Sequence, residues 1–177
     1  MLDVALPGAL LGAQPMSGRP MTHSAACLGK VVVWPIPRRR LDALAGSVPR
    51  VALRLAHVTA CREARLQDHF VNIAGREARE RVAHFLMELF QRIRHRPPAS
   101  GDHVLIPLTL SHIGEALNLT EVHVSRTLRT LRIQGVVRFF RQKLDVLDAQ
   151  AFTRAAGSMG ETETFGDELA ADLPSRE

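Results

Sequence analysis

A chain of 177 residues, 46% of them hydrophobic, has the length and apolar content for one ordinary domain or two small linked ones. Its net charge of +5 hides an asymmetry: the stretch after Gly157 holds six acids and one arginine, so the rest carries 22 bases against 12 acids, a net +10 that is almost wholly arginine and suits a polyanion such as nucleic acid. Two cysteines, Cys27 and Cys61, in no CxxC arrangement exclude a disulfide scaffold and fit a reducing cytoplasm, and no run approaches the roughly 20 apolar residues of a membrane span.

In chain order, the opening "MLDVALPGALLGAQPMSG" lacks the basic region of a signal peptide and is broken by Pro7, Gly8 and Gly12. Within residues 1–45, "KVVVWPIP" at 30–37 predicts one or two strands, held to an edge or a bend by Pro35 and Pro37. Ser47 as cap and Pro49 in the first turn predict a long helix to about Ile73. Val51, Leu55 and Val58 form one apolar stripe on it, and Leu66, Phe70 and Ile73 another. So narrow a face suits pairing with a second copy, and equally suits packing on its own chain. Asn72 is expected to cap the next helix, which runs to about His95. Its apolar set, Val82, Phe85, Leu86, Leu89, Phe90 and Ile93, follows the helical template of a core element. "RHRPPASGD" at 94–102 reads as a loop and "HVLIPL" as a short strand.

Two short helices follow in close succession. Thr109 caps the first, about 110–118, Thr120 caps the second, about 121–134, and only Asn118 and Leu119 separate them. A connection this tight forces a steep crossing, the helix-turn-helix geometry; Asn118 tolerates the left-handed backbone it needs, and Gly114 leaves room for close approach. "GVVRFFRQKLDVLD" predicts a β-hairpin wing carrying Arg138, Arg141 and Lys143. Asp148 then caps a last helix to about Ala156, and the acidic tail beyond Gly157 reads as disordered.

On the second helix Val124, Leu128 and Leu131 share one buried sector. Val122, Ser125, Arg126 and Arg129 lie opposite, with Arg132 swung to the flank. In a major groove, arginine meets guanine O6 and N7, serine a base or phosphate, and a valine methyl the thymine methyl. Thr109, Ser111, Thr120 and His123, near helix N-termini, are candidate phosphate contacts, as are Arg141 and Lys143 on the wing. Arginines opposite an apolar stripe are in most helices plain solvated surface. The tight turn, the arginine excess and the basic wing together favour DNA. Eight scattered histidines form no HExxH or His/Cys pairing, Cys61 is most simply a small packed residue, and no phosphate loop or nucleophile elbow occurs; metal, cofactor and catalysis are therefore not expected.

"ARERVAHFLMELF" followed by "IPLTLSHIGEALNLTEVHVSRTLRTLRIQGVV" resembles the DNA-binding half of the Crp/Fnr family of bacterial transcription regulators. Upstream, "LPGALLGAQPMSGRPMTHSAACLGKVVVWPIPRRRLDAL" is similar to the closing part of that family's cyclic-nucleotide-binding-like β-roll. The resemblance implies an α+β chain: a partial β-roll over 1–45, a dimerisation helix over 46–72 paired through Val51, Leu55, Val58 and Leu66, a winged helix-turn-helix over 73–156, and the tail from 157. It further implies a cytoplasmic homodimer on a twofold-related double-stranded DNA site, with recognition helix 120–134 in the major groove, Arg126 at the family's guanine-contacting position, and RNA polymerase as a further partner. An alternative is a sensor-truncated protein that forms inactive heterodimers with a full-length relative. Val122 replaces the family's usual glutamate and Ser111 its usual glutamine. Met21, Thr22 and Ala13 stand where the arginine, serine and acid that hold a cyclic nucleotide would be, so binding of that ligand is not expected, and the cysteine cluster of an iron-sulfur centre is absent. On this reading the chain opens midway through the β-roll, and the DNA upstream of Met1 is the observation that decides whether an in-frame continuation supplies its first strands.

Overall fold

The computed structural model describes residues 3–12 and 23–157. The expected positions of Ala13, Met21 and Thr22 and the acidic tail lie outside these. Residues 7–66 form one unit, and residues 3–6 with those from Gln67 onward form another.

In the first unit no strand forms among the described residues, so the strands expected at 30–37 are not made. Their residues lack a neighbouring strand to bond, and Pro35 and Pro37 contribute no N–H groups. Val32, Val33 and Trp34 are left highly exposed. A helix not expected from sequence, α1 (Arg38–Ser47), follows directly. Ser47 belongs to its last turn, where its hydroxyl donates to the carbonyls of Ala43 and Leu44 at 2.9 and 3.3 Å; it does not cap the next helix. Val48 breaks the helix in extended geometry, and α2 (Pro49–Gly75) begins at the proline, whose missing N–H costs nothing in a first turn. Val51, Leu55, Val58 and Leu66 are each half-buried within a single copy of the chain.

Asn72 is an interior residue of α2 and caps nothing. Only 1% exposed, it donates to the Arg81 carbonyl at 3.2 Å and accepts from Arg76 at 3.4 Å, so its polar groups are satisfied across the α2–α3 bend. Glu77 takes the N-cap of α3 (Ala78–Arg94), the centre of the second unit. Val82, Leu86, Leu89 and Phe90 are at most 1% exposed. The helix packs on α6 (Ala149–Ala156), α4 (Leu110–Leu117) and α5 (Glu121–Ile133). Asp148 caps α6 by accepting from the Ala151 N–H at 2.9 Å. Strands β1 (His103–Leu105), β2 (Val137–Phe140) and β3 (Lys143–Val146) form an antiparallel sheet of order β1-β3-β2. Val104, Leu144, Val137 and Val146 of the sheet face the core, as the period of two requires. The chain is thus of mixed α+β class.

One buried group ties this core to pH. His84 on α3 is 4% exposed, and its Nδ1–H donates to the carbonyl of Ala156 at the end of α6, 3.2 Å away. Burial and then the nearby Arg76 charge hold its pKa below the ordinary 6.5, while the Ala156 bond, Asp68 and Glu80 oppose the shift. The unfolded chain takes up this proton more readily than the folded one. The stabilisation is therefore complete above about pH 6.5 and is lost as pH falls below it. Urea titrations at pH 7.5, 6 and 5 should show stability declining, and His84→Gln should flatten that decline; an unchanged slope would exclude His84 as its source.

Candidate nucleic-acid interface

The helix-turn-helix is held from both ends and through its middle. At the start of α4 a complete capping box forms: the Thr109 hydroxyl oxygen accepts from the His112 N–H at 3.1 Å, and His112 Nδ1 accepts from the Thr109 N–H at 3.3 Å. Accepting at Nδ1 leaves Nε2 as the ring nitrogen able to donate near the helix N-terminus. The sequence pattern T-x-x-H could have shown this, since His at the third helical position can play the part usually given to Glu or Gln. The same spacing recurs at Thr120 and His123, where Thr120 accepts from the His123 N–H at 3.2 Å.

At the other end of α4, Asn118 is left-handed with φ 53° and ψ 47°, and the N–H groups of Asn118 and Leu119 both return to the Gly114 carbonyl. A Cβ on Gly114 would stand 2.5 Å from the Leu119 carbonyl oxygen, so the turn closes over a position that only glycine fits. Arg81 of α3 fixes this turn to the core by donating to the Leu117 carbonyl at 3.0 Å, one of the orphan carbonyls ending α4, and to the Arg76 carbonyl at 3.0 Å. Sequence reasoning missed Arg81 because nothing local links it to a carbonyl 36 residues away.

The turn sets α5 with Val124, Thr127, Leu128 and Leu131 in the core. Val122, Ser125, Arg126 and Arg129 are all exposed, Val122 by 67%. Among the described residues neither Arg126 nor Arg129 has an acidic or hydrogen-bonding side-chain partner. Ile133, 72% exposed and close to three turns beyond Val122, continues the same line. Glu121, exposed in the first turn, is an acceptor at this face that sequence reasoning left out. Ser111 is exposed at the start of α4, and Arg132 lies in the last turn of α5, where a cation complements the helix dipole.

The wing distributes its charge unevenly. Arg138 and Lys143 both pair with Asp145, at 2.8 and 2.9 Å. Burial opposes the Asp145 anion, but hydrogen bonds from Lys143 and Arg138 outweigh it and hold the carboxyl below its ordinary value. Arg141 has no acidic partner among the described residues; its guanidinium lies 5.3 Å from the Phe140 ring centroid. Among the described residues no three His, Cys, Asp or Glu side chains gather as metal ligands, and no helix is long and apolar enough to cross a membrane.

These elements define a winged helix-turn-helix protein, and residues 80–155 match the family described as the Crp-like helix-turn-helix domain. The chain is 31% identical over 148 residues to the nitrogen fixation regulation protein FixK of Bradyrhizobium diazoefficiens, an alignment covering 84% of this chain and 61% of that one. It is 29% identical over 155 residues to the transcriptional regulator LdrP of Thermus thermophilus, covering 86% and 74%. The solved structure of FixK2 from Bradyrhizobium japonicum superposes with a TM-score of 0.61 at 28% identity, over 71% of this chain and 61% of that one. Residues 80–155 are thus of the Crp-like helix-turn-helix type, and the similarity to FixK and LdrP extends upstream of them. The chain spans about three fifths of the length of FixK.

Proposed function

We propose that this chain is a sequence-specific DNA-binding transcription regulator of the Crp/Fnr type, acting as a homodimer with helix 120–134 in the major groove. One observation carries the reading: Val122, Ser125, Arg126 and Arg129 form an exposed, internally unpartnered face on a helix whose opposite side is locked into the core. Such a face has the donors and the methyl group that base edges recognise. Thr109, Ser111, Thr120 and His123 cluster at helix N-termini that attract phosphate, and on the wing Arg141 extends the basic surface, with Lys143 beside it sharing its charge with Asp145. The half-buried Val51, Leu55, Val58 and Leu66 on α2 supply the dimer seam, with the twofold axis setting the symmetry of the DNA site. The same seam would serve a heterodimer with a full-length relative. RNA polymerase is the further partner this reading implies, the cytoplasm its place of action, and no catalysis is involved.

Arg126→Ala should weaken binding at the specific site by about 1–3 kcal/mol while sparing most non-specific binding. Anisotropy titrations of the selected site and of scrambled duplex at one salt concentration separate the two. Equal loss on both would reassign Arg126 to phosphate contact. Gel filtration with and without a full-length relative, beside the same titrations, decides the dimer: a protein that pairs with the relative and is silent on DNA would overturn the homodimer reading.

A further inference from the structure

We infer that the acidic segment 158–177 of this chain docks on the exposed face of α5 when no DNA is present, and so competes with the duplex for that face; its effect on DNA rests on the DNA-binding reading above. The segment carries six acids, Glu161, Glu163, Asp167, Glu168, Asp172 and Glu177, against the single base Arg176. Set among them are Phe165, Leu169 and Leu173. A surface that fits such a segment offers cations together with exposed apolar groups.

Helix α5 offers both. Arg126, Arg129 and Arg132 are exposed, none has an acidic partner among the described residues, and the one acid of the helix, Glu121, stands in its first turn. Val122 and Ile133, 67% and 72% exposed, lie at its two ends. Elsewhere in the same unit the cations are already engaged: Arg76 with Glu80, Arg92 with Glu88, Arg96 with Asp102, and Arg138 and Lys143 with Asp145. A further anion gains least there and most at α5. A carboxylate offers a guanidinium the same forked pairing as a phosphate, so the segment and a duplex are rivals for the same donors. The segment also starts within reach. It follows Gly157, which ends α6, and α6 and α5 both pack on α3 within one unit. Residues 158–177 extend to at most about 70 Å, whereas a domain of about 100 residues has a radius of gyration of about 13 Å. Tethering supplies an effective concentration on the order of 1 mM, so a docking affinity of about 0.2 mM would lower the apparent affinity for DNA roughly sixfold. Specific and non-specific duplexes both need the face, so both lose by the same factor.

The test compares the full chain with one neutralised by Glu161→Gln, Glu163→Gln, Asp167→Asn, Glu168→Gln, Asp172→Asn and Glu177→Gln. At about 50 mM salt the neutralised chain should bind a selected and a scrambled duplex each about fivefold tighter or more, a gain that shrinks toward parity at about 300 mM as exposed charges are screened. A fluorescein-labelled peptide of residues 158–177 should bind the neutralised chain and be displaced by duplex. Adding Arg126→Ala and Arg129→Ala to that chain should abolish peptide binding, whereas adding Arg39→Ala and Arg40→Ala should leave it. Melting curves matching wild type show that the variants fold. Equal DNA affinity of the full and neutralised chains, or a peptide held as well without Arg126 and Arg129, overturns the inference and leaves the DNA-binding reading standing. A chain that binds no duplex in either form, yet holds the peptide through Arg126 and Arg129, overturns the DNA-binding reading and keeps the docking.

Discussion

Phe90→Ala is expected to destabilise the winged helix-turn-helix unit by about 3–5 kcal/mol, the upper range for truncating a single core side chain. Phe90 is fully buried, as is Phe152, and α3 packs against α6 and α5 as well as α4. Removing the ring leaves a cavity that so many anchored neighbours cannot close, so a cavity penalty adds to the lost transfer energy. For a domain of this size each kcal/mol shifts the melting temperature by roughly 4–8 °C, which predicts a fall of at least about 12 °C. Urea titration followed by helical circular dichroism measures it. A loss under about 1 kcal/mol would mean that α3 is not the shared core element described. DNA binding by the variant should fall only as its folded fraction falls, with sequence preference intact, whereas Arg126→Ala should alter preference at an unchanged melting temperature.

That separation follows from what could be read in the amino-acid order. Elements whose stability is local were legible. The period of Val82, Leu86, Leu89 and Phe90 gave α3. The caps Thr109, Thr120 and Asp148 gave the starts of α4, α5 and α6, because a capping oxygen and its N–H lie three residues apart. The left-handed Asn118 and the space at Gly114 were legible for the same reason. Features decided by distant partners were not. Asn72 has the chemistry of a cap, yet its partner is the carbonyl of Arg81 across a bend. Ser47 bonds backwards to α1, a helix hidden because Arg38, Arg39 and Arg40 open it against the helix dipole with no side-chain cap. The run at 30–37 has the composition of a strand, but strand formation is settled by a neighbour that composition does not contain. On the wing, three cations read alike in sequence until Asp145 divides them, engaging Arg138 and Lys143 and leaving Arg141.

Gly114→Val should cost about 3 kcal/mol or more and abolish specific DNA binding at temperatures where the variant is still folded. The new Cβ would stand 2.5 Å from the Leu119 carbonyl oxygen and 3.6 Å from the Glu121 nitrogen, and these are backbone atoms that no rotamer change can move aside. Overpacking of this kind typically costs about 1–3 kcal/mol, and a branched side chain against main chain belongs at or above the top of that range. Relief requires α4 and α5 to separate, which lengthens the bonds from Asn118 and Leu119 to the Gly114 carbonyl. It also swings the exposed face of α5 away from the N-terminus of α4, so the DNA contacts proposed for Thr109 and Arg126 could no longer be reached on one duplex at once. Gly114→Ala should show the same pattern at smaller cost. The informative comparison is with Phe90→Ala at matched stability: at the same folded fraction, the Gly114 variants should lose far more specific affinity. If the two classes of variant lose affinity in equal proportion to stability, the crossing of α4 and α5 is not what aims the recognition face.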